Sequence, residues 1–305
     1  MTEQRSARVP AVRRFKRVPA VLAAALAATG CTPIGLLNGL DRLTPSADGA
    51  TRIVRGEAYG SDARQKLDVW VPAGRKGAGE LPVVVFFYGG GWNSGSRGDY
   101  AFAGSAFAGQ GFVAVVPDYR LVPSVRFPAF VQDGALAVRW ARDNARRLGG
   151  DPERITLAGH SAGAYIGAML ALDGRWLRQA GLEPGVINAA ALLSGPYDFA
   201  PFTESRGREA FGSWPDAAQT QPINFARADA PPMFLAHGTS DRVVLPRNSE
   251  RLAARLQALG APVTLRLYPG ANHVDPAIAL SRPFRRRLPV LAESTAFLRQ
   301  ASRRP

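Results

Sequence analysis

The stretch RITLAGHSAGAYIGAMLAL, Arg154 to Leu172, joins two different patterns through one turn. RITLA is a short apolar run of the kind that forms a buried strand. AYIGAMLAL, Ala164 to Leu172, reads as a helix. Between them stands GHSAG, Gly159 to Gly163, which has the spacing G-x-S-x-G. A serine on a sharp strand-to-helix turn is lifted clear of the sheet by strained backbone. Side chains at Gly159 or Gly163 would collide with the neighbouring strand and helix, so glycine is required on both sides. The pattern therefore predicts a nucleophile, Ser161, at the carboxyl end of a central strand.

Outward from this turn the same unit recurs. LPVVVFFYGG, GFVAVVPDYR, INAAALLSG, PPMFLAHG and PVTLRLYPG are short apolar runs that end in turn residues. Such runs fit strands buried on both faces of a parallel sheet. RIVRGEAYG and QKLDVWVPA alternate instead, as a half-exposed hairpin at a sheet edge would. Helices are predicted over Phe130 to Leu148, over NSERLAARLQALG with Gly260 as its cap, and over roughly Leu288 to Ala301. Alternating strands and helices predict an α/β fold: a mostly parallel, doubly wound sheet of about eight strands flanked by helices. Residues 200–230 break the alternation and are too few for a second domain. They are expected to lie over the carboxyl edge of the sheet, so the cap is small or absent.

In such sheets ligands bind beyond the carboxyl ends of the strands. Serine needs a base there, and the chain has three histidines, His160, His237 and His273. His160 adjoins the serine but points elsewhere on the turn. His237 ends a strand and is expected to make structural hydrogen bonds. His273 lies in the loop YPGANHVD after the last strand and can reach across the sheet edge to Ser161. A base of this kind needs a carboxylate to hold its tautomer. Asp241, in HGTSDRVVLP, lies one strand before the histidine, giving the chain order Ser161, Asp241, His273. Asp198 and Asp275 are the alternatives.

YGGGW, GHSAG and HGTSD with the later NH occur in this order, and together they carry a family resemblance. Over roughly residues 55 to 300 the chain resembles serine carboxylesterases of the α/β-hydrolase superfamily. It is similar to the hormone-sensitive-lipase-like and the acetyl- and feruloyl-esterase groups, and more distantly to arylformamidases. The resemblance implies an oxyanion hole built from the N–H groups of Gly90, Gly91 and Ala162, and it implies ester hydrolysis through an acyl-enzyme. Its substrate would be a small-molecule ester with a short to medium acyl group, and it implies no metal and no organic cofactor. N-formyl amide cleavage or peptide cleavage on the same triad is the alternative; a catalytically silent binding module is the third reading. The chain departs from the family at Tyr88, where histidine is usual and props the glycine loop. Tyr88 and Trp92 are the candidate substrate-binding residues, with a packing role for Trp92 as the other reading.

The N-terminus reads differently from the rest. Residues 1–30 carry six cations against Glu3, which is +5 of the formal net charge of +14 and leaves +9 for the remainder. The apolar run VPAVLAAALAATG follows, too short for a bilayer span of about 20 residues but suited to a signal peptide. AATGC resembles a bacterial lipoprotein box, with Ala28 where leucine is preferred, and makes Cys31 a lipidation candidate. Cleavage after Ala27 and simple secretion is the alternative. The expected organisation is a signal peptide over 1–30, a tether over 31–50 and one catalytic domain over 51–305. Export, with a membrane contact only through a lipid at Cys31, follows from that reading. Cys31 is the only cysteine, so no intrachain disulfide can form. The basic residues show no compact patch interleaved with aromatics, which argues against nucleic acid as a partner. The densest group, Arg282, Arg285, Arg286 and Arg287, is expected at the exposed start of the last helix.

Overall fold

The computed structural model describes residues 34–44, 49–74 and 80–303. The expected signal peptide and Cys31 lie outside the described residues.

Eight strands form one sheet in the order β1-β2-β4-β3-β5-β6-β7-β8. They are β1 Ala50–Ala58, β2 Lys66–Pro72, β3 Leu81–Phe87, β4 Val113–Pro117, β5 Gly150–His160, β6 Ile187–Leu193, β7 Met233–Gly238 and β8 Val263–Tyr268. β2 pairs antiparallel with both β1 and β4; the pairs from β4 through β8 are parallel. The alternating segments thus form the edge hairpin, and the continuous apolar runs form the parallel body. In β3 the residues from Pro82 to Phe87 are all buried.

One apolar run departs from expectation. β8 was expected to be buried on both faces, yet most of it is half-buried or exposed and Leu267 is 37% exposed. β8 is the last strand of the order, so one of its edges has no neighbouring strand.

Helices cover both faces. α1 Gly35–Leu43 precedes the sheet. α2 Ala101–Gly109 and α9 Val290–Ala301 touch one another over one face. α3 Ala129–Asn144, α4 Ala162–Leu172 and α5 Gly174–Gln179 pack together over the other. All eleven residues of α4 are buried; a helix apolar all round belongs in a core, which is where the sheet and α3 place it. The excursion contains α6 Ser205–Phe211; α7 Arg247–Ala258 and the short α8 Asp275–Ile278 flank the last strands.

Two expectations change at the chain ends. Part of the expected tether is the helix α1, pinned by polar contacts: Arg282 N–H donates to Asp41 Oδ1 at 2.7 Å, and Asn38 Nδ2 donates to Gly98 O at 2.7 Å. The arginines from Arg282 to Arg287 lie before α9, in and after a 3-10 turn at Arg282–Phe284. Pro289 then caps the helix, which places its start after that basic group.

Candidate active site

The registers of the sheet bring the three loops together. β3 and β5 are neighbours with Phe87 opposite Gly159, so Tyr88–Gly91 and His160–Gly163 leave the sheet side by side. β7 and β8 pair with Gly238 opposite Tyr268, so the Asp241 and His273 loops also leave together. Those loops are laced by Ser240 N–H to Ala271 O at 2.9 Å and Gly270 N–H to Thr239 Oγ1 at 2.9 Å.

Ser161 follows β5 directly, with φ 53° and ψ −119°. This is left-handed backbone for a residue with a side chain, at a typical cost of about 1–3 kcal/mol. The close approach at Gly163 makes the turn possible: a Cβ there would overlap the carbonyl oxygens of Phe87 and Tyr88.

His273 Nε2 lies 2.9 Å from Ser161 Oγ, and His273 Nδ1 lies 2.7 Å from Asp241 Oδ2. The loop after β8 therefore crosses three strand spacings, about 14 Å, to meet the serine. The alternatives to Asp241 are engaged elsewhere: Asp198 pairs with Arg251 at 2.7 Å, and Asp275 Oδ2 accepts the Asn272 N–H at 2.7 Å. Asp241 is buried, and its Oδ1 accepts the N–H groups of Val243 and Val244, each at 2.9 Å. Burial pushes its pKa up, but hydrogen bonds from His237 and His273 outweigh this and hold it well below the usual carboxylate range. A serine, an imidazole and a fixed carboxylate in this chain of contacts can pass a proton from the hydroxyl and stabilise the imidazolium that results.

His160 points away from the serine, as expected, and its partners tie two loops together. Its Nε2–H donates to the backbone carbonyl of His273 at 3.0 Å, and its Nδ1 lies 3.1 Å from Tyr100 Oη. Gly89 packs against the same ring, where a Cβ would lie 2.7 Å from His160 Nδ1. His160 thus sits between the glycine loop and the histidine loop.

Burial, then the charge of His273 when protonated, lower the His160 pKa to about 3. The imidazole stays neutral in the fold, whereas in the unfolded chain it takes a proton below about pH 6.5. Its contribution to stability is therefore complete above pH 6.5 and is lost as pH falls towards 3, by up to about 1.4 kcal/mol per pH unit. Urea unfolding of the His160→Gln variant is expected to show a shallower fall in stability between pH 6.5 and 4 than the parent. Equal slopes would remove His160 as the cause.

The glycine loop is braced from below. Tyr88 is fully buried, and its hydroxyl accepts from Arg64 Nη2 at 2.8 Å. The same Nη2 donates to Gly95 O at 3.0 Å, and Arg64 Nε donates to Tyr119 O at 2.9 Å. Tyr119 Oη donates back to Tyr88 O at 2.9 Å, and the two rings stack at 4.5 Å. Tyr88 therefore clasps the loop through an arginine and is no substrate contact, because its ring and hydroxyl face the protein interior. Arg64 had no sequence signal, standing 24 residues from Tyr88 in another loop.

Trp92 is 6% exposed and sits among the rings of Phe130, Tyr165, Phe199 and Phe211, at centroid distances of 4.8–6.1 Å. Packing is its visible role. Phe199 and Phe211 flank and include α6, so the excursion rests on Trp92; Tyr165 Oη anchors it further by donating to Thr220 O at 2.8 Å. Among the described residues, the backbone N–H groups of Gly90, Gly91 and Ala162 donate to no protein acceptor.

In sequence and fold the chain is similar to known esterases. The family model BD-FAE matches residues 67–256. Isoprenylcysteine alpha-carbonyl methylesterase ICME of Arabidopsis thaliana is 30% identical over 271 residues, 82% of this chain and 63% of that protein. Esterase LipC of Mycobacterium tuberculosis is 33% identical over 70% of this chain and 58% of that protein. The chain spans about six-tenths of the length of such curated relatives. Among solved structures, apo Thermogutta terrifontis esterase 2 is 28% identical, with a TM-score of 0.68 over 84% of this chain and 96% of that one. A truncated carbohydrate esterase from gut microbiota shares the fold, with a TM-score of 0.73 at 21% identity over 85% of this chain and 99% of that one. With the matched segment running from β2 into α7, through Ser161 and Asp241, the chain belongs to the BD-FAE family and has the α/β-hydrolase fold.

Proposed function

We propose that the protein hydrolyses carboxylic esters of short to medium acyl groups through an acyl-enzyme. The observation that carries this reading is the unbroken line from Ser161 Oγ through His273 to Asp241. In the proposed first step Ser161 Oγ attacks the ester carbonyl and His273 Nε2 takes its proton. The carbonyl oxygen becomes an anion, and the proposed donors to it are the N–H groups of Gly90, Gly91 and Ala162. Collapse expels the alcohol, which takes the proton from His273. Water then attacks the acyl-enzyme by the same route, with His273 as base, and Ser161 is restored.

The short-acyl preference is supported by the small excursion. Phe199 and Phe211 already pack protein rings against Trp92, and Phe202 packs against both of them. The related Thermogutta terrifontis esterase 2 is also known butyrate bound, propionate bound and phosphonylated by sarin.

A panel of 4-nitrophenyl esters from acetate to laurate tests the reading. The highest kcat/KM is expected at two to four carbons, with a fall of about tenfold or more by twelve, since even one methylene that the pocket cannot accommodate costs about 1–3 kcal/mol. A preference for twelve carbons or longer would overturn the substrate class. N-formylkynurenine cleaved far faster than every ester would replace ester hydrolysis with amide hydrolysis.

A further inference from the structure

His237 lies on β7, four residues before Asp241, with its side chain fully buried. Its Nδ1 is 2.7 Å from Ser249 Oγ on α7. Its Nε2 is 2.8 Å from Val244 O and 3.1 Å from Asp241 Oδ2. The carbonyl and the carboxylate only accept, so the proton is on Nε2. Ser249 Oγ completes the ring's partners at Nδ1. Asp241 Oδ2 is the same oxygen that receives His273 Nδ1–H. One carboxylate oxygen is thus shared between two imidazoles, while Oδ1 is held by two backbone N–H groups.

We infer that His237 is a positioning residue for the reaction: it fixes the Asp241 carboxylate and sets how strongly that carboxylate pulls on His273. The inference rests on the triad reading above. Two effects follow from the geometry. First, four donors hold the carboxylate plane, and loss of the Nε2–H donor leaves only Val243 N–H, Val244 N–H and His273 to orient it. Second, the His237 donor takes up part of the negative charge of Oδ2. Without it, all of the Oδ2 charge faces His273, and Asp241 stabilises the imidazolium formed in the reaction more. The groups facing this pair are Ser249 from α7, Val243, Val244 and Val244 O from the acid loop, and His273 with His160 beyond it.

The test compares His237→Leu, which has no donor, with His237→Gln, whose amide can donate from a similar place. In the pH profile of kcat/KM on 4-nitrophenyl butyrate, His237→Leu is expected to lose about ten- to a hundredfold at the plateau, as a misplaced catalytic group does. Its acid limb should move to higher pH. His237→Gln should recover most of the rate and return the limb towards the parent's position. A folded His237→Leu with an unmoved acid limb would overturn the inference, whatever its rate. Where His237→Leu fails to fold, the parent carries the test: with three histidines in the chain, long-range 1H–15N spectra at pH 8 read each tautomer. Nε2–H on His237 supports the inference, and Nδ1–H overturns it. Failure of the triad reading would appear separately, as activity retained in Ser161→Ala.

Discussion

Replacing Ser161 with alanine is expected to lower kcat on 4-nitrophenyl acetate by about ten-thousandfold or more, with the fold intact. The size follows from the interdependence of the triad: once the nucleophile is gone, His273 and Asp241 have no proton to move, and only binding and oxyanion stabilisation remain. Stability should not suffer. Ser161 is held in left-handed backbone by its neighbours, its Oγ contacts only His273 among the described hydrogen bonds, and alanine keeps the Cβ. The check is steady-state kinetics beside thermal unfolding and labelling by a fluorophosphonate. A variant that keeps a tenth of the parent rate and still labels would place the nucleophile elsewhere.

Gly90→Ala is expected to lower kcat by about a hundred- to a thousandfold with little change in KM, the range found when an oxyanion donor is lost. Gly90 has φ 141°, a conformation that residues with a Cβ rarely adopt. A Cβ there would overlap the Ser94 carbonyl oxygen and lie 2.7 Å from its carbon. That carbonyl cannot retreat easily, because Ser94 is tied back to Gly90 O through its N–H at 3.1 Å and its Oγ at 2.9 Å. The loop must therefore shift, and its N–H groups shift with it. The sheet beneath is unaffected, so thermal unfolding should move by only a few degrees. Equal kcat in the variant and the parent would remove this loop from the oxyanion site; a matched loss in Ser161→Ala and Gly90→Ala would instead point to misfolding.

The glycine run and its neighbours show how far each level of description reaches. YGGGW could be read as a loop of bare backbone because glycine's lack of a Cβ is a local property. What supports that loop could not be read. Tyr88, a candidate substrate-binding residue by sequence, instead braces the loop through Arg64 and Gly95, residues that no spacing rule connects to it. Likewise, His160 and His237 were assigned away from the serine, and neither could be linked to His273 or Asp241 from sequence. Their partners come from loops and from helix α7, and a buried polar group accepts whichever partner the packing supplies.

The local chain determined the strand–turn–helix around Ser161, the chain order of serine, acid and base, and the parallel sheet with its antiparallel edge. Those features follow from apolar periodicity and from glycine at the turn, which act over a few residues. Only the tertiary structure decided that β8 is a half-exposed edge strand, that Trp92 is enclosed by the rings of the excursion, and that three imidazoles meet around one serine and one carboxylate. The physical reason is the same in each case. An apolar run states that a strand prefers burial, and a histidine states that it can donate or accept, but the covering face and the bonding partner are fixed by strand order and register, which bring together loops more than a hundred residues apart.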